Sequence, residues 1–491
     1  MTETLDVLDV LVIGAGFSGV GAGIKLLEAG IRNFRIYEKS AGVGGTWWEN
    51  TYPGAACDVP SHLYSFSFEP NPDWSRAYSP QAEIQSYIER CVDKYGLRSH
   101  LHNGFELEEL RFDDDSGLWE SVFTNGTRVR SKHVINGSGG LHVPKLPDIP
   151  GVESFAGTAM HSARWQAGFD PLGKRIAIIG SAASAIQILP VIARRAAHVE
   201  LFQRTPNYIA PRNDRAFSAR EKARLRRWPW LHKLYRLGIF LRLELLLYPI
   251  TRERSRLRRH ATQRVLDYMR SQVRDPALHA ALTPDYEMGC KRILISDDFY
   301  ACLNRDNVDL VSAPTSVIEA AGVRTVDGVL HPVDAIIYAT GFDLEAHMRG
   351  FEVIGPRGRK LSRQWADIPE AYNGCCVAGM PNLWLTTGPN TGVGTTSVVF
   401  MIEQELRYII ECIRRAGEDG LIAVSDEASR RYNRTIQDAL QHTVWASGCH
   451  SWYRREDGRI ASLYPWNALR FRRQLARVDF RDMLMTRRVL R

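Results

Sequence analysis

At 491 residues the chain is too long for one small core, so two or more domains are expected. Its 44% apolar and 24% charged content is that of a globular protein, and its eight cysteines show neither a CxxC pair nor metal-ligand spacing with histidine, which argues against a zinc site, a disulfide framework and a redox cysteine pair. A net charge of +8 admits nucleic acid, a membrane surface or a phosphate-bearing ligand, but no zinc-finger, RNA-recognition or helix-turn-helix signature accompanies it, and nucleic acid drops out.

Met1 to Val7 is polar and acidic and leads straight into a strand, so no signal peptide is expected and a cytoplasmic setting is. Val7 to Ile13 is an apolar, β-branched run that predicts a strand, and Gly14-Ala15-Gly16-Phe17-Ser18-Gly19 then opens a helix over Val20 to Ala29. Gly14 permits the tight turn, Gly16 lets a pyrophosphate approach the backbone, and Gly19 lets helix and strand pack closely. The next strand, Phe34 to Tyr37, ends at Glu38, nineteen residues after Gly19, where a carboxylate can accept both hydroxyls of a ribose.

Gly44 to Asp58 reads GGTWWENTYPGAACD, a loop too aromatic for solvent. Gly45, Thr46, Trp47 and Trp48 are candidate cofactor contacts, joined by Tyr64, although each tryptophan taken alone reads more readily as core packing. Asp58, a carboxylate in an apolar loop, needs a partner. Residues 105 to 136 alternate polar and apolar and predict a meander returning to the first sheet, and a proline-punctuated connection, Pro144 to Gly151, follows. The stretch from Phe155 to Trp165, with Gly157 and His161 inside it, reads as a link along which two cofactor domains face each other.

Lys174 to Ile179 is again a strand, followed by Gly180-Ser181-Ala182-Ala183-Ser184-Ala185 and a helix to about Ala196. The next strand, Val199 to Gln203, ends at Arg204 and Thr205, with Arg204 nineteen residues after Ala185. The acidic position of the first unit is thus basic in the second. An arginine cannot accept from a ribose hydroxyl but can grip a 2′-phosphate. At roughly 1.5 to 3 kcal/mol per charge-assisted hydrogen bond, this favours NADP(H) over NAD(H) by about one to two orders of magnitude. The reading is FAD on the first unit and NADPH on the second.

Ser218 to Val273 is helical and basic, with an apolar heart from Leu237 to Ile250 that is too short to cross a bilayer. It reads as an insertion covering the substrate pocket, with a helix lying on a membrane surface as the open alternative. Lys291 to Ile295 predicts a strand, and Ala335 to Asp343 a strand and turn leading back to the first domain. Asn382 to Thr386 is a further strand, and Gly388-Pro389-Asn390-Thr391-Gly392-Val393-Gly394 a glycine loop whose Asn390 is a candidate contact ahead of a helix over Ser397 to Arg415. Gly448 to Tyr453, with Trp452, is a candidate mobile cover. The expected class is α/β, with two Rossmann-like dinucleotide-binding domains and a helical insertion in the second. The expected division is FAD-binding over 1–142, NADP-binding over 143–212, insertion over 213–288, NADP-binding again over 289–343, and FAD-binding with the C-terminal region over 344–491.

Two dinucleotide turns joined by FxGxxxHxxxW, carried here by Phe155, Gly157, His161 and Trp165, resemble the flavin-dependent monooxygenases of the Baeyer-Villiger type. GGTWWENTYPGAACD, FQRTPNY (Phe202 to Tyr208), GCKR (Gly289 to Arg292), ATGFD and GPNT are similar to further family signatures. The resemblance implies FAD and NADPH as cofactors, dioxygen and a ketone as substrates, and an ester or lactone formed through a C4a-peroxyflavin, with no metal. It implies that Arg292 and Asp58 are catalytic, Arg292 stabilising the peroxide anion and Asp58 tuning the arginine. Arg204 and Lys291 would hold the 2′-phosphate, and Trp452 would close over the nicotinamide. Gln166 after Trp165, Thr395 after Gly394 and the Arg-Arg-Glu-Asp-Gly run after Tyr453 depart from the family's pattern and bear on substrate range and loop behaviour. On the same plan, the alternative is a heteroatom (N/S) oxygenase.

Overall fold

The computed structural model describes residues 7–343, 350–448, 453–455 and 457–488. The first sheet is built on β1 (Leu8–Ile13), β2 (Phe34–Glu38), β3 (Leu101–Asn103), β4 (Leu107–Asp113), β5 (Leu118–Phe123) and β6 (Arg128–Asn136). β1 lies in parallel between β2 and β6, and β3 extends the sheet beyond β2. β4, β5 and β6 form the antiparallel meander expected from their alternation. Two strands from late in the chain, Glu352–Gly355 and Leu383–Leu385, add to β4 and β6 in parallel.

From Val10 to Ile13 the run of β1 is continuously apolar because both of its faces are covered there. Val10 and Val12 enter one core with Ala22 and Ile24 of α1 (Phe17–Glu28), while Leu11 and Ile13 enter another with Leu110 and Trp119. Two more helices belong to this unit: α2 (Thr46–Glu49), one turn long, and α3 (Gln81–Lys94).

The second sheet takes β7 (Thr158–His161), β8 (Arg175–Ile179) and β9 (His198–Phe202). After it, β10 (Ile209–Ala210) and β11 (Leu294–Ile295) pair in parallel and close the base of an insertion, and β12 (Val308–Val311) rejoins the sheet. Its order is β12, β9, β8, the strand Ala335–Tyr338, then β7, with every neighbouring pair parallel. Again the faces divide: Ile176 and Ile178 pack against α4 (Ala183–Ile192), and Ala177 and Ile179 against Ile318 and Val323. The insertion is helical, with α5 (Ala219–Arg227), α6 (Pro229–Leu246) and α7 (Arg256–Gln272).

Two local readings of the sequence change. The stretch 155–165 is not a free link, because Thr158–His161 is the edge strand of the second sheet and pairs with Ala335–Tyr338. The strand expected from Lys291 narrows to Leu294–Ile295, since its partner β10 offers only two residues, so Lys291 and Arg292 sit in irregular backbone. The chain's two passages between the sheets run side by side: the Lys145 amide donates to the Gly341 carbonyl at 3.0 Å and the Asp343 amide to the Val143 carbonyl at 3.0 Å.

Candidate active site

The first glycine turn is a cradle, and its three glycines serve different ends. A Cβ on Gly14, where φ is +87°, would stand 2.7 Å from the Gly137 carbonyl oxygen, and one on Gly19 would stand 1.8 Å from the Gly14 oxygen. Both positions are required by the protein's own packing. Gly16 differs, since its Cβ would meet nothing closer than the Gly45 Cα at 3.5 Å. What a side chain there would fill is the gap between Gly16 and Gly45, beside the N-terminus of α1. Glu38 is buried at the end of β2, accepting from the Ala15 amide at 2.7 Å and the Ser40 amide at 2.8 Å. Each carboxylate oxygen accepts one bond and keeps capacity for a ribose hydroxyl. Thr46 opens α2 directly after Gly45; the Trp47 indole N–H donates to the Tyr64 hydroxyl at 3.2 Å, and Tyr64 packs edge-on against Phe17 at 5.3 Å. Trp47 is buried, whereas Trp48 is exposed and lies over Gly42. These residues fit a dinucleotide: an open glycine gap, a helix N-terminus and a buried acid with accepting capacity.

The second turn repeats the plan with opposite charge. Gly180, at φ +108°, would place a Cβ 2.5 Å from the Ala339 oxygen. The Ser181 hydroxyl donates to the Thr205 carbonyl at 3.2 Å, and the Asn207 amide donates to the Ser181 carbonyl at 3.0 Å, tying the turn to the loop after β9. Ala182 caps α4 without a side-chain bond; Ala182 and Ala183 are exposed and Ser184 half-buried, so this helix end is open. Arg204 is exposed at the same corner. Lys291 stands beside it, its ammonium 4.6 Å from the centre of the Tyr286 ring. Burial, and then the Arg204 charge, pull the Lys291 pKa below its ordinary value. Two cations that repel each other beside an open helix end make a site for an anion.

Asp58 finds its partner 234 residues away. The Arg292 Nε donates to Asp58 Oδ2 at 2.8 Å and its Nη2 to Oδ1 at 2.7 Å, a bidentate pair that leaves the Nη1 edge for a ligand. The Asp58 charge, acting against burial, holds the Arg292 pKa above the ordinary value. Although the guanidinium side chain is 38% exposed, that surface belongs to a residue lining a cavity of about 640 Å³. Leu243, Leu246, Ile250, Met288 and Trp445 give the cavity apolar walls, with Lys291 at its edge. α6 and α7 supply much of that lining, so the insertion covers the pocket. Cys290, next to these residues, is disulfide-bonded, which the cysteine spacing did not indicate.

Contacts between the two units come from residues that were not themselves candidate site residues, several of them inside the two signature stretches. Gln187 of α4 accepts from the Tyr52 hydroxyl at 2.9 Å and donates to the Ala56 carbonyl at 3.0 Å. Gly54 is required there, since its Cβ would stand 2.4 Å from the Gln187 carbonyl oxygen. Arg164, inside the fingerprint, pairs with Glu49 of α2, and Arg212 donates to the Cys57 carbonyl at 2.9 Å. His161 is buried, with its pKa lowered to about 4 by burial; its Nδ1 accepts from the Ala163 amide, and it does not line the cavity. Trp165 packs with Tyr52 and Phe169 against the second core. Asn390 is buried, and its amide donates to the Ile460 and Leu463 carbonyls at 2.8 and 3.0 Å, so it shapes its loop rather than presenting its side chain. Glu405 lies behind that loop, its pKa raised to about 8 by burial, accepting from the Thr387 amide. Trp452 lies outside the described residues.

Two dinucleotide cradles of opposite charge, meeting at an arginine-carboxylate pair beside an apolar cavity, define a flavoprotein oxidoreductase that also takes a phosphorylated nicotinamide. The comparisons with known proteins agree and go further. Residues 11–228 match the family described as pyridine nucleotide-disulphide oxidoreductase. A Baeyer-Villiger monooxygenase of Streptomyces coelicolor is 41% identical, over 97% of this chain and 92% of that one, and one of Pseudomonas aeruginosa is 40% identical, over 94% and 88%. A closed crystal structure of cyclohexanone monooxygenase superposes with a TM-score of 0.88 at 28% identity, covering 99% of this chain and 100% of that one. An oxidised steroid monooxygenase bound to NADP gives 0.89 at 27%, covering 98% and 100%. The chain belongs to the Baeyer-Villiger monooxygenases, and is an FAD- and NADPH-dependent flavoprotein monooxygenase.

Proposed function

We propose that the chain uses NADPH and dioxygen to insert one oxygen atom next to the carbonyl of an apolar ketone. Ketone, dioxygen, NADPH and a proton give an ester or lactone, NADP⁺ and water. The observation that carries this reading is the Arg292 guanidinium, held on two nitrogens by Asp58 at the wall of an apolar cavity.

Gly14, Gly16, Gly19, Glu38, Gly45, Thr46, Trp47, Trp48 and Tyr64 would hold FAD. Gly180, Ser181, Ala182, Ser184, Arg204, Thr205 and Lys291 would hold NADP, with the two cations on its 2′-phosphate. The flavin, reduced by NADPH, supplies the chemistry of activating dioxygen. The residues supply its surroundings. Arg292 presents a fixed positive charge where negative charge develops on oxygen, and Asp58 keeps that guanidinium in place and charged. Leu243, Ile250, Met288 and Trp445 exclude water, which strengthens this interaction and accommodates an apolar substrate. A cavity of about 640 Å³ lies within the range of sites for small organic molecules. We place the reaction in the cytoplasm, where NADPH is regenerated.

The test is NADPH consumption by the FAD-loaded enzyme against cyclic, linear and aromatic ketones with identification of products, in parallel with a thioether. Ester or lactone formation matched to NADPH consumed is expected. Sulfoxide formation with no ester from any ketone would replace the proposal with heteroatom oxygenation.

A further inference from the structure

α6 has two apolar sides, one turned to the cavity and the core and the other to solvent. Leu243 and Leu246 line the cavity, and Phe240 is buried beside Phe400. On the other side Trp230, Leu234, Leu237, Leu241 and Leu245 are all exposed, between 39 and 69%. Their spacing of four, three, four and four residues places them in one stripe along a helix roughly 27 Å long. Scattered exposed apolar residues need no explanation, but a continuous stripe does.

The charge around the stripe selects its occupant. Between Ser218 and Arg274 there are sixteen Lys and Arg against four Asp and Glu, an excess larger than the +8 of the whole chain. The basic charge of this protein is therefore a property of the insertion. Lys233 and Arg242, both exposed, fall on the two flanks of the stripe at 100° per residue, and Arg224, Arg226 and Arg227 are exposed on α5 at its N-terminal end. Of the four acids, Glu244 is buried and Glu221 is paired to Arg215, which leaves little negative charge beside the stripe. A second copy seated here would bring like charges face to face, whereas an anionic lipid surface satisfies both the apolar stripe and its basic flanks. No helix among the described residues is long and apolar enough to cross a membrane, so the helix would lie on the surface.

We propose that α6 docks the enzyme on an anionic lipid bilayer, stripe inward. Leu246 and Leu257 are exposed and also line the cavity, so the pocket opens beside the docking face. If the function proposed above holds, an apolar ketone dissolved in the bilayer reaches the pocket without crossing water; the docking itself does not depend on that reading.

The experiment is co-sedimentation of FAD-loaded enzyme, without substrate, with vesicles of equimolar phosphatidylcholine and phosphatidylglycerol, and with vesicles of phosphatidylcholine alone. Binding to the anionic vesicles should exceed binding to the neutral ones about tenfold and weaken with added salt. Leu237→Glu with Leu241→Glu should reduce anionic binding about tenfold while turnover of a water-soluble ketone is unchanged. Lys233→Glu with Arg242→Glu, which keeps the stripe, should remove the salt-sensitive part. Absent binding to anionic vesicles, or unchanged binding by the leucine variant, would overturn the proposal. So would a dimer in solution that the leucine variant converts to monomer without any lipid binding, since a second copy would then be the occupant.

Discussion

Arg204→Ala tests the opposite charge of the two cradles. Arg204 is exposed, so the bonds proposed for it to a 2′-phosphate would be screened by water and salt, and the lower end of the range for a charge-assisted hydrogen bond applies, about 1.5 kcal/mol or roughly tenfold. Lys291 is half-buried beside it and destabilised by the Arg204 charge, so removing Arg204 also relieves Lys291. The loss in the single variant is therefore partly offset, and Arg204→Ala with Lys291→Ala should lose more than the product of the two single losses. The assay is anaerobic flavin reduction followed over a range of nucleotide concentrations, with NADPH and NADH side by side. The apparent dissociation constant for NADPH should rise about tenfold in Arg204→Ala while that for NADH stays within a factor of about two, because NADH has nothing for the arginine to hold. An equal rise for both nucleotides would refute the assignment and make Arg204 a structural residue of the loop after β9.

Arg292→Ala should leave flavin reduction by NADPH intact while ester formation falls by about three powers of ten, since a cation about 4 Å from a developing anion at an effective dielectric near 20 contributes roughly 4 kcal/mol. Product formation within tenfold of the parent would remove the arginine from the chemistry. Gly16→Ala should fold normally and purify with little flavin, because its Cβ meets no atom of the protein within 3.5 Å; Gly19→Ala should lose both flavin and thermal stability, because its Cβ would stand 1.8 Å from the Gly14 oxygen. Circular dichroism melts with flavin absorbance separate the two. His62 and His232 are buried against each other at 2.7 Å, and burial first, then neighbouring charge, lowers their pKa values to about 3 and about 4. Below the ordinary histidine pKa the unfolded chain takes up protons that the folded chain refuses, so stability should fall as pH drops from about 6.5 towards 4, by up to about 1.4 kcal/mol per pH unit for each histidine. His62→Asn with His232→Asn should flatten that slope in denaturant titrations, and an unchanged slope would assign it elsewhere.

The sheets and their nucleotide turns were legible because the physics that forms them is local. A strand covered on both faces must be apolar along its covered stretch, as Val10 to Ile13 of β1 and Ile176 to Ile179 of β8 are, and a turn that a Cβ would block must hold glycine. β7 was not legible. Thr158–His161 is short and of mixed polarity, and it is a strand because Ala335–Tyr338, nearly two hundred residues later, offers it an open edge. Asn390 was legible as part of a glycine loop but not in its role, since its bonds run to Ile460 and Leu463. Gly54 is held by a positive φ of +85° and by the approach of Gln187, whose carbonyl oxygen a Cβ would meet at 2.4 Å, and the second of these comes from a residue 133 positions later.

Asp58 states the same limit most sharply, because its sequence announces a need and not its answer. A carboxylate in an apolar loop must be paired, but the arginine that pairs with it belongs to the irregular stretch before β11, on the other cofactor unit. The cavity's fixed positive charge is thus assembled from both units, Asp58 from the first and Arg292 from the second, and exists in this geometry only while they are docked. Tyr52 and Ala56 on Gln187, Glu49 on Arg164, and the Cys57 carbonyl on Arg212 all lie within ten residues of Asp58 in the same loop. The loop that supplies the carboxylate is therefore also the one that fastens the units together, and a substitution that loosens the docking should displace Arg292 without touching either partner of its ion pair.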